Sequence, residues 1–307
     1  MDLFGVLTLF GGIALFLYGM RVMGEGIEKR AGKQMRIILE KLTANPLKSI
    51  LLGAAVTAII QSSAATTVMV VGFVNSGIMK LSQATGIIMG ANLGTTITAW
   101  ILSLSGIEGE SVFVQLLKPS SFSPVLAMVG VTFLLFSKSN KRRDVGTILL
   151  GFSILMFGMQ TMSGAVEPLA DIPEFTRILT LFESPILGVL TGAVITAIIQ
   201  SSSASVGILQ ALSATGSVTF SSAIPIILGM NIGACIITLL SSVGTSREAR
   251  RTALVHLYFS LIGKVLVTTL FMLANAAFRF SFMETFVNPV SIAVIHSALN
   301  LISIIVM

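Results

Sequence analysis

Acidic side chains are scarce in this chain, and each of the thirteen stands in or beside a connecting segment, never deep within an apolar run. That excludes a carboxylate proton relay inside those runs. Two histidines, no triad, no paired carboxylates and no His–carboxylate cluster leave an enzyme without its parts, and no cofactor is expected. A single cysteine, Cys235, excludes an internal disulfide and a cysteine-based metal site. Charged residues of either sign make up only 10% of the chain. The net charge of +6 comes from basic residues in short segments between apolar runs, where they report orientation, so nucleic acid is not an expected partner.

Apolar residues are abundant: 54% of the chain, with a mean hydropathy of +0.96. Residues 3–23, 84–104, 122–136, 145–162, 223–240, 253–278 and 290–307 form runs close to the ~17–25 residues that cross a bilayer as helix. They are too long for barrel strands and do not alternate. The first residues, MDLFGVLTLFGG, lack a basic leader and a small-residue cleavage site, so they read as a retained first span. The expected class is an all-α integral membrane protein, multi-pass in the cell inner (plasma) membrane.

One phrase occurs twice. Residues 53–63 read GAAVTAIIQSS and residues 192–202 read GAVITAIIQSS, nine of eleven positions being identical. At the same offset Gly12 pairs with Gly151, Gly19 with Gly158, Pro46 with Pro185, Gly90 with Gly229, Asn92 with Asn231 and Gly94 with Gly233. Such duplication marks transporter and channel folds. Residues 24–48 carry six basic side chains, whereas the equivalent 163–187 carry Arg177 against four acids. Basic loops stay in the cytoplasm, so the two segments lie on opposite faces, the N-terminus lies outside, and the repeats have inverted topology. The expected division is repeat 1 at 1–137, a cytoplasmic basic linker at 138–144, and repeat 2 with C-terminal helices at 145–307.

Within repeat 1 the apolar spacing of Ile27, Ala31, Met35, Ile38 and Leu42 predicts an amphipathic helix over 24–45, on the cytoplasmic surface or packed on the protein. If residues 47–75 crossed fully, the basic run Lys138 to Arg143 would fall outside. Re-entrant helical hairpins at 47–75 and 186–215, with tips at Gln61-Ser62 and Gln200-Ser201, keep that run and Arg247, Arg250 and Arg251 inside. Downstream, Gly90 to Thr96 and Gly229 to Gly233 place Gly, Asn and Thr within apolar runs. An unwound transmembrane helix is expected there, with close small-residue packing as the alternative.

At depth, then, only amides, hydroxyls and backbone are offered. Two helix restarts attract an anion with about half a positive charge each, and Ser62, Ser63, Ser201, Ser202 and Ser203 add donors. Carbonyls at the preceding helix ends, with Gln, Asn and Thr oxygens, suit Na⁺. A dianion needs more positive charge than two half-charges, so anion and cation should bind together. The anion is expected at Gln61, Ser62, Ser63, Gln200, Ser201, Ser202, Ser203, Asn92 and Asn231. Sodium is expected at Thr57, Gln61, Ser63, Asn92, Thr95, Thr196, Gln200, Ser202 and Asn231. Lys264 interrupts an apolar run and either faces the pathway or snorkels; His256 and His296 read as interhelical hydrogen-bond partners.

The stretches GAAVTAIIQSSAATTVMVVGFVNSG and GIIMGANLGTTITA, with second copies TGAVITAIIQSSSAS and IILGMNIGA, closely resemble the sodium-dependent phosphate cotransporters, the type II Na⁺/phosphate symporters and their bacterial relatives. The likeness covers nearly the whole chain. It implies Na⁺-coupled symport of inorganic phosphate by alternating access, with the site on the paired Gln-Ser-Ser motifs and Asn92, Thr95 and Asn231 nearby. Alternatives are a re-entrant-hairpin channel and a Na⁺-coupled symporter of another small anion. Inorganic phosphate, Na⁺ and the lipid bilayer are the implied partners, with a homo-oligomer left open. Two departures stand out: Ala64 replaces the serine found at Ser203, and no acid accompanies the downstream Asn positions. Many bacterial relatives continue into a cytoplasmic helical domain beyond the equivalent of Met307.

Overall fold

The computed structural model describes residues 3–40, 45–106, 115–116, 118–169, 172 and 181–307, without the side chains of 30–40. Its helices are α1 (Leu3–Glu40), α2 (Pro46–Ile60), α3 (Ser63–Asn75), α4 (Leu81–Ser103), α5 (Pro119–Phe136), α6 (Asn140–Val166), α7 (Pro185–Ile199), α8 (Ser202–Ser213), α9 (Phe220–Gly233), α10 (Cys235–Ser241), α11 (Arg247–Tyr258), α12 (Lys264–Phe278) and α13 (Pro289–Val306). Four of them begin on proline, whose fixed φ and missing N–H suit the first helical position. A π-helical turn, Phe259–Gly263, joins α11 to α12. Among the described residues there is no strand, only an isolated bridge between Thr219 and Phe286.

Among the described residues seven helical segments are long and apolar enough to cross a bilayer, and they coincide with the seven apolar runs read from the sequence, the last ending one residue short of its run. Large side chains such as Phe4, Leu135, Phe136, Ile198 and Ile305 are exposed around the rim. A water-facing surface of this kind would aggregate, whereas hydrocarbon accepts it. The protein is therefore a multi-pass, all-helical membrane protein.

Glycines set the closest helix contacts. A β-carbon on Gly12 would meet Met162 N and Gly158 O, and one on Gly19 would meet Leu155 N and Gly151 O. Thus α1 and α6 touch backbone to backbone, and because Gly12 faces Gly158 while Gly19 faces Gly151 they run antiparallel. Inside each repeat the same device binds the first helix of the Gln-Ser unit to its neighbour. Gly53 abuts Ile87 O on α4, and its counterpart Gly192 abuts Ile226 O on α9.

This packing corrects the expectation of unwound helices. Helix α4 is unbroken across 90–96, and the second copy is interrupted only at Ala234, whose backbone keeps right-handed helical angles. Gly90 and Gly94 instead admit Ile50 O and Ala54 O of α2, while Gly229 and Gly233 admit Val189 O and Ala193 O of α7. The asparagines need no break either: Asn92 Nδ2 donates to Ile88 O at 3.0 Å and Asn231 Nδ2 to Ile227 O at 2.9 Å. A second correction concerns 24–45. Residues 24–40 continue α1 without a break rather than forming a separate helix, and 41–44 lie outside the described residues. Most of the acidic segment after α6 (170–171 and 173–180) also lies outside them.

Contacts between repeats brace the centre. Thr67 on α3 and Thr238 on α10 share a hydrogen bond of 3.0 Å. The equivalent pair, Val206 on α8 and Ala99 on α4, meets within the largest apolar core. Gln210 Nε2 then ties α8 to Ala99 O (3.0 Å) and to Pro289 O (2.8 Å) at the start of α13.

Candidate functional site

Both copies of the repeated phrase fold identically at their polar centre. Ser62 and Ser201 take extended backbone (φ −146° and −150°) and cap the next helix, their hydroxyl oxygens accepting from Ala65 N at 3.1 Å and Ala204 N at 3.2 Å. To leave one helix and enter the next within two residues, the intervening glutamine must reverse its φ. Gln61 and Gln200 accordingly sit in the left-handed region, at φ 59° and 58°. Glycine is the usual occupant of that conformation, and a side chain there costs on the order of 1–3 kcal/mol. Retaining glutamine at both turns points to use of its amide.

Each turn is locked by a hydroxyl relay. Thr57 Oγ1 donates to Thr66 Oγ1 (3.0 Å), which donates to Ser62 O (3.1 Å). In the second copy Thr196 Oγ1 donates to Ser205 Oγ (2.8 Å), which donates to Ser201 O (3.0 Å). Residues nine apart can bond only if the chain turns back on itself between them. Thr57 and Thr196, expected at sodium, thus hold the two arms of each turn together and do not line the cavity described next.

That cavity, of about 80 Å³, is shared by the two turns. Gln61, Ser62, Ser63 and Ala64 line it from one side, and Gln200, Ser201, Ser202 and Ser203 from the other, with Ala234, Ile237 and His256. The first backbone N–H groups of α3 and α8 have no partner within their helices, so both positive helix ends serve this one space. The hydroxyls of Ser63, Ser202 and Ser203 donate to no group among the described residues. Donors therefore dominate, which suits a small anion carrying several acceptor oxygens. Asn92, Thr95 and Asn231, expected nearby, are buried and do not line it; Thr95 Oγ1 donates to Ala91 O at 3.0 Å.

The glutamines are committed differently. Gln61 Nε2 donates to Ala58 O, and its Oε1 accepts from Thr98 Oγ1 at 3.0 Å. At the position equivalent to Thr98 stands Ile237, which can donate nothing, and Gln200 is exposed with its amide free among the described residues. His256 belongs to the lining although the sequence suggested only an interhelical partner. It makes that bond as well, Nδ1 pairing with Thr238 Oγ1 at 2.9 Å. Nothing near His256 in the sequence repeats, so no signal pointed to the cavity. His296 departs from the expectation: neither ring nitrogen has a partner among the described residues.

A wider cavity of about 360 Å³ reaches Gln61, Ser62 and Ser201 from the side of Arg21, Glu25 and Glu28 on α1. Arg21 Nε and Glu25 Oε1 are 2.9 Å apart at its exposed edge. A third, of about 800 Å³, opens at the C-terminal ends of α4, α6 and α8 and is lined by Gln160, Ser163, Glu167, Gln210 and Ser213.

Comparison with known proteins adds the following. The sequence model of the Na⁺/Pi-cotransporter family matches twice, over residues 15–164 and 154–295. YqeW of Bacillus subtilis, which has no described function, is 31% identical over 83% of this chain and 79% of its own length. YjbB of Escherichia coli K12, named as a candidate for inorganic phosphate export, is 28% identical over 85% of this chain. The chain spans only 46% of that relative's length. The sodium-dependent phosphate transport protein 2A of rat is 33% identical over 31% of this chain and 15% of its own. No solved structure matches.

Proposed function

The chain belongs to the Na⁺/Pi-cotransporter family, and on that premise we propose that it carries inorganic phosphate across the cell membrane together with Na⁺, by alternating access between two inverted repeats. The observation that carries this reading is the convergence of two serine-capped helix N-termini, each preceded by a left-handed glutamine, on one cavity. Phosphate binds there through Ser62, Ser63, Ser201, Ser202 and Ser203 and the amide of Gln200. Two helix ends supply roughly one positive charge, less than a dianion requires. Bound Na⁺, held by carbonyls at the ends of α2 and α7 with Gln61 and Gln200, supplies the rest, and that mutual need is the coupling.

The antiparallel α1–α6 contact supports inversion, because equivalent helices related by a two-fold axis in the membrane plane must run oppositely. Arms of 12 to 15 residues rise about 18–22 Å, too short for a hydrocarbon core of about 30 Å, which supports two re-entrant hairpins. With the basic loops inside, the N-terminus lies outside. The cavity beside Arg21, Glu25 and Glu28 then opens to the cytoplasm. A symporter runs either way with its gradients, so a relative named for export is compatible with the same site.

Reconstitution in liposomes tests the reading. Labelled phosphate should accumulate with an inward Na⁺ gradient and not with K⁺ in its place. Ser202→Ala combined with Ser203→Ala, which removes two uncommitted hydroxyls, should weaken uptake at low phosphate by roughly tenfold while the protein stays folded. Uptake indifferent to Na⁺ would overturn the coupling, and no uptake above empty liposomes would overturn the substrate.

A further inference from the structure

Behind the cavity the apolar interior holds a polar seam. His256, Ser260, Lys264 and Thr268 recur every fourth residue along α11, the π-helical turn and α12, and all four are buried. At Lys264 the seam meets α13, which contributes the buried His296 and Asn300. Lys264 is fully inaccessible to solvent, so it does not snorkel to the membrane surface. Among the described residues its one hydrogen-bond partner is Asn300 Oδ1, whose own Nδ2 donates to His296 O at 2.8 Å. The Phe259 ring stands 5.8 Å from Nζ.

Among the described residues no carboxylate acts on Lys264, and the one group there that can turn anionic is the Cys235 thiol. Cys235 approaches from α10, His256 from α11 and His296 from α13, and none is a carboxylate. Among the described residues Thr268 Oγ1 and both ring nitrogens of His296 have no partner. An ammonium with one amide oxygen and, among the described residues, no carboxylate beside it is costly at this depth, and a neutral amine facing a neutral Cys235 thiol is far less so. An anion would change that balance, and the candidate anion cavity is lined by His256, the outer member of the same seam.

We propose that Lys264 is a proton-binding site of the transport cycle, so that the protein binds and releases one H⁺ in step with its anion. With the cavity occupied, the Nζ lone pair takes a proton from water and Lys264 is an ammonium about two helical turns behind the anion, in the same apolar interior where charge is weakly screened. When the anion leaves on the other side, the uncompensated ammonium returns that proton to water and becomes an amine. The coupling is reciprocal, since anion and proton favour each other's binding by the same factor. This inference rests on the reading of the cavity as an anion site.

The test holds the outside of proteoliposomes constant in pH, Na⁺ and labelled phosphate, and varies only the luminal pH, so that the ionisation of the external substrate never changes. The initial rate of Na⁺-driven uptake should change roughly fivefold or more with luminal pH, the low end of ordinary site-to-site coupling. Lys264→Met removes the titrating group, and Asn300→Asp supplies a carboxylate that holds Lys264 charged. Whichever folds should keep Na⁺-driven uptake and lose the luminal response. Wild-type uptake that depends on Na⁺ but ignores luminal pH overturns the proposal alone, as does a variant that keeps the wild-type response. No Na⁺-dependent uptake at any luminal pH overturns the anion reading beneath it.

Discussion

Gln61 and Gln200 share a backbone conformation to within a degree in φ, yet the first amide is bound at both ends and the second is free among the described residues. At the carbonyl end of the amide the difference traces to one neighbour. Thr98 reaches Gln61, and the residue in its place opposite Gln200 is Ile237. Backbone geometry has thus been kept by both copies, through the serine caps, hydroxyl relays and packing glycines, while the side chains around it have diverged. In a duplicated fold the shared part reports what builds the site, and the divergent part reports how labour is divided within it.

The largest effects should come where the copies agree. Gly53→Val and Gly192→Val each drive a side chain into a carbonyl of the neighbouring helix, Ile87 or Ile226. Each should lose about 3 kcal/mol of stability. Thermal unfolding in detergent measures this, and markedly unequal losses would break the equivalence of the two packings. Intermediate effects should appear at the glutamines, and there they should differ. Gln61→Ala forfeits two hydrogen bonds and leaves Thr98 without its acceptor, costing about 1–2 kcal/mol of stability. Gln200→Ala should leave stability within about 0.5 kcal/mol but weaken phosphate binding roughly tenfold. Parallel melting and equilibrium phosphate binding separate the two, and an identical pattern for both variants would erase the division of labour. The smallest effect belongs to Ile237→Thr, which recreates the Thr98 contact in the second copy. It should raise stability by about 1 kcal/mol and reduce phosphate affinity a few-fold as Gln200 becomes tethered. An unchanged affinity would mean that the freedom of Gln200 is not used.

Much of this was legible in the sequence because the informative residues act locally. Apolar runs report spans, and the repeated Gln-Ser pair reports two turns; that Ser62 and Ser201 cap the helices that follow emerged only from their extended backbone. The Gly-Asn segments misled because glycine signals an unwound helix and a close neighbour equally well. Only the partner helix decides, and at Gly90 the partner is the Ile50 carbonyl on α2, forty residues away. Lys264 was ambiguous for the same reason, since its partner Asn300 lies 36 residues on and the π-helical turn that precedes it leaves no compositional mark. His256 gave no sign of facing the cavity, which it reaches only once α11 is docked against α3 and α10.

The glycine contact between α1 and α6 also bears on motion. At the four glycines the two helices meet through backbone atoms, with no side chain between them to repack, while Phe16, Met23, Leu155, Met156, Met159 and Met162 are buried in the core beside that contact. Those four positions are where, in the proposed cycle, the junction would act as a bearing rather than a weld. In the proposed cycle the two halves would pivot about Gly12, Gly19, Gly151 and Gly158, while the hydroxyl relays keep each glutamine turn rigid as it is carried across.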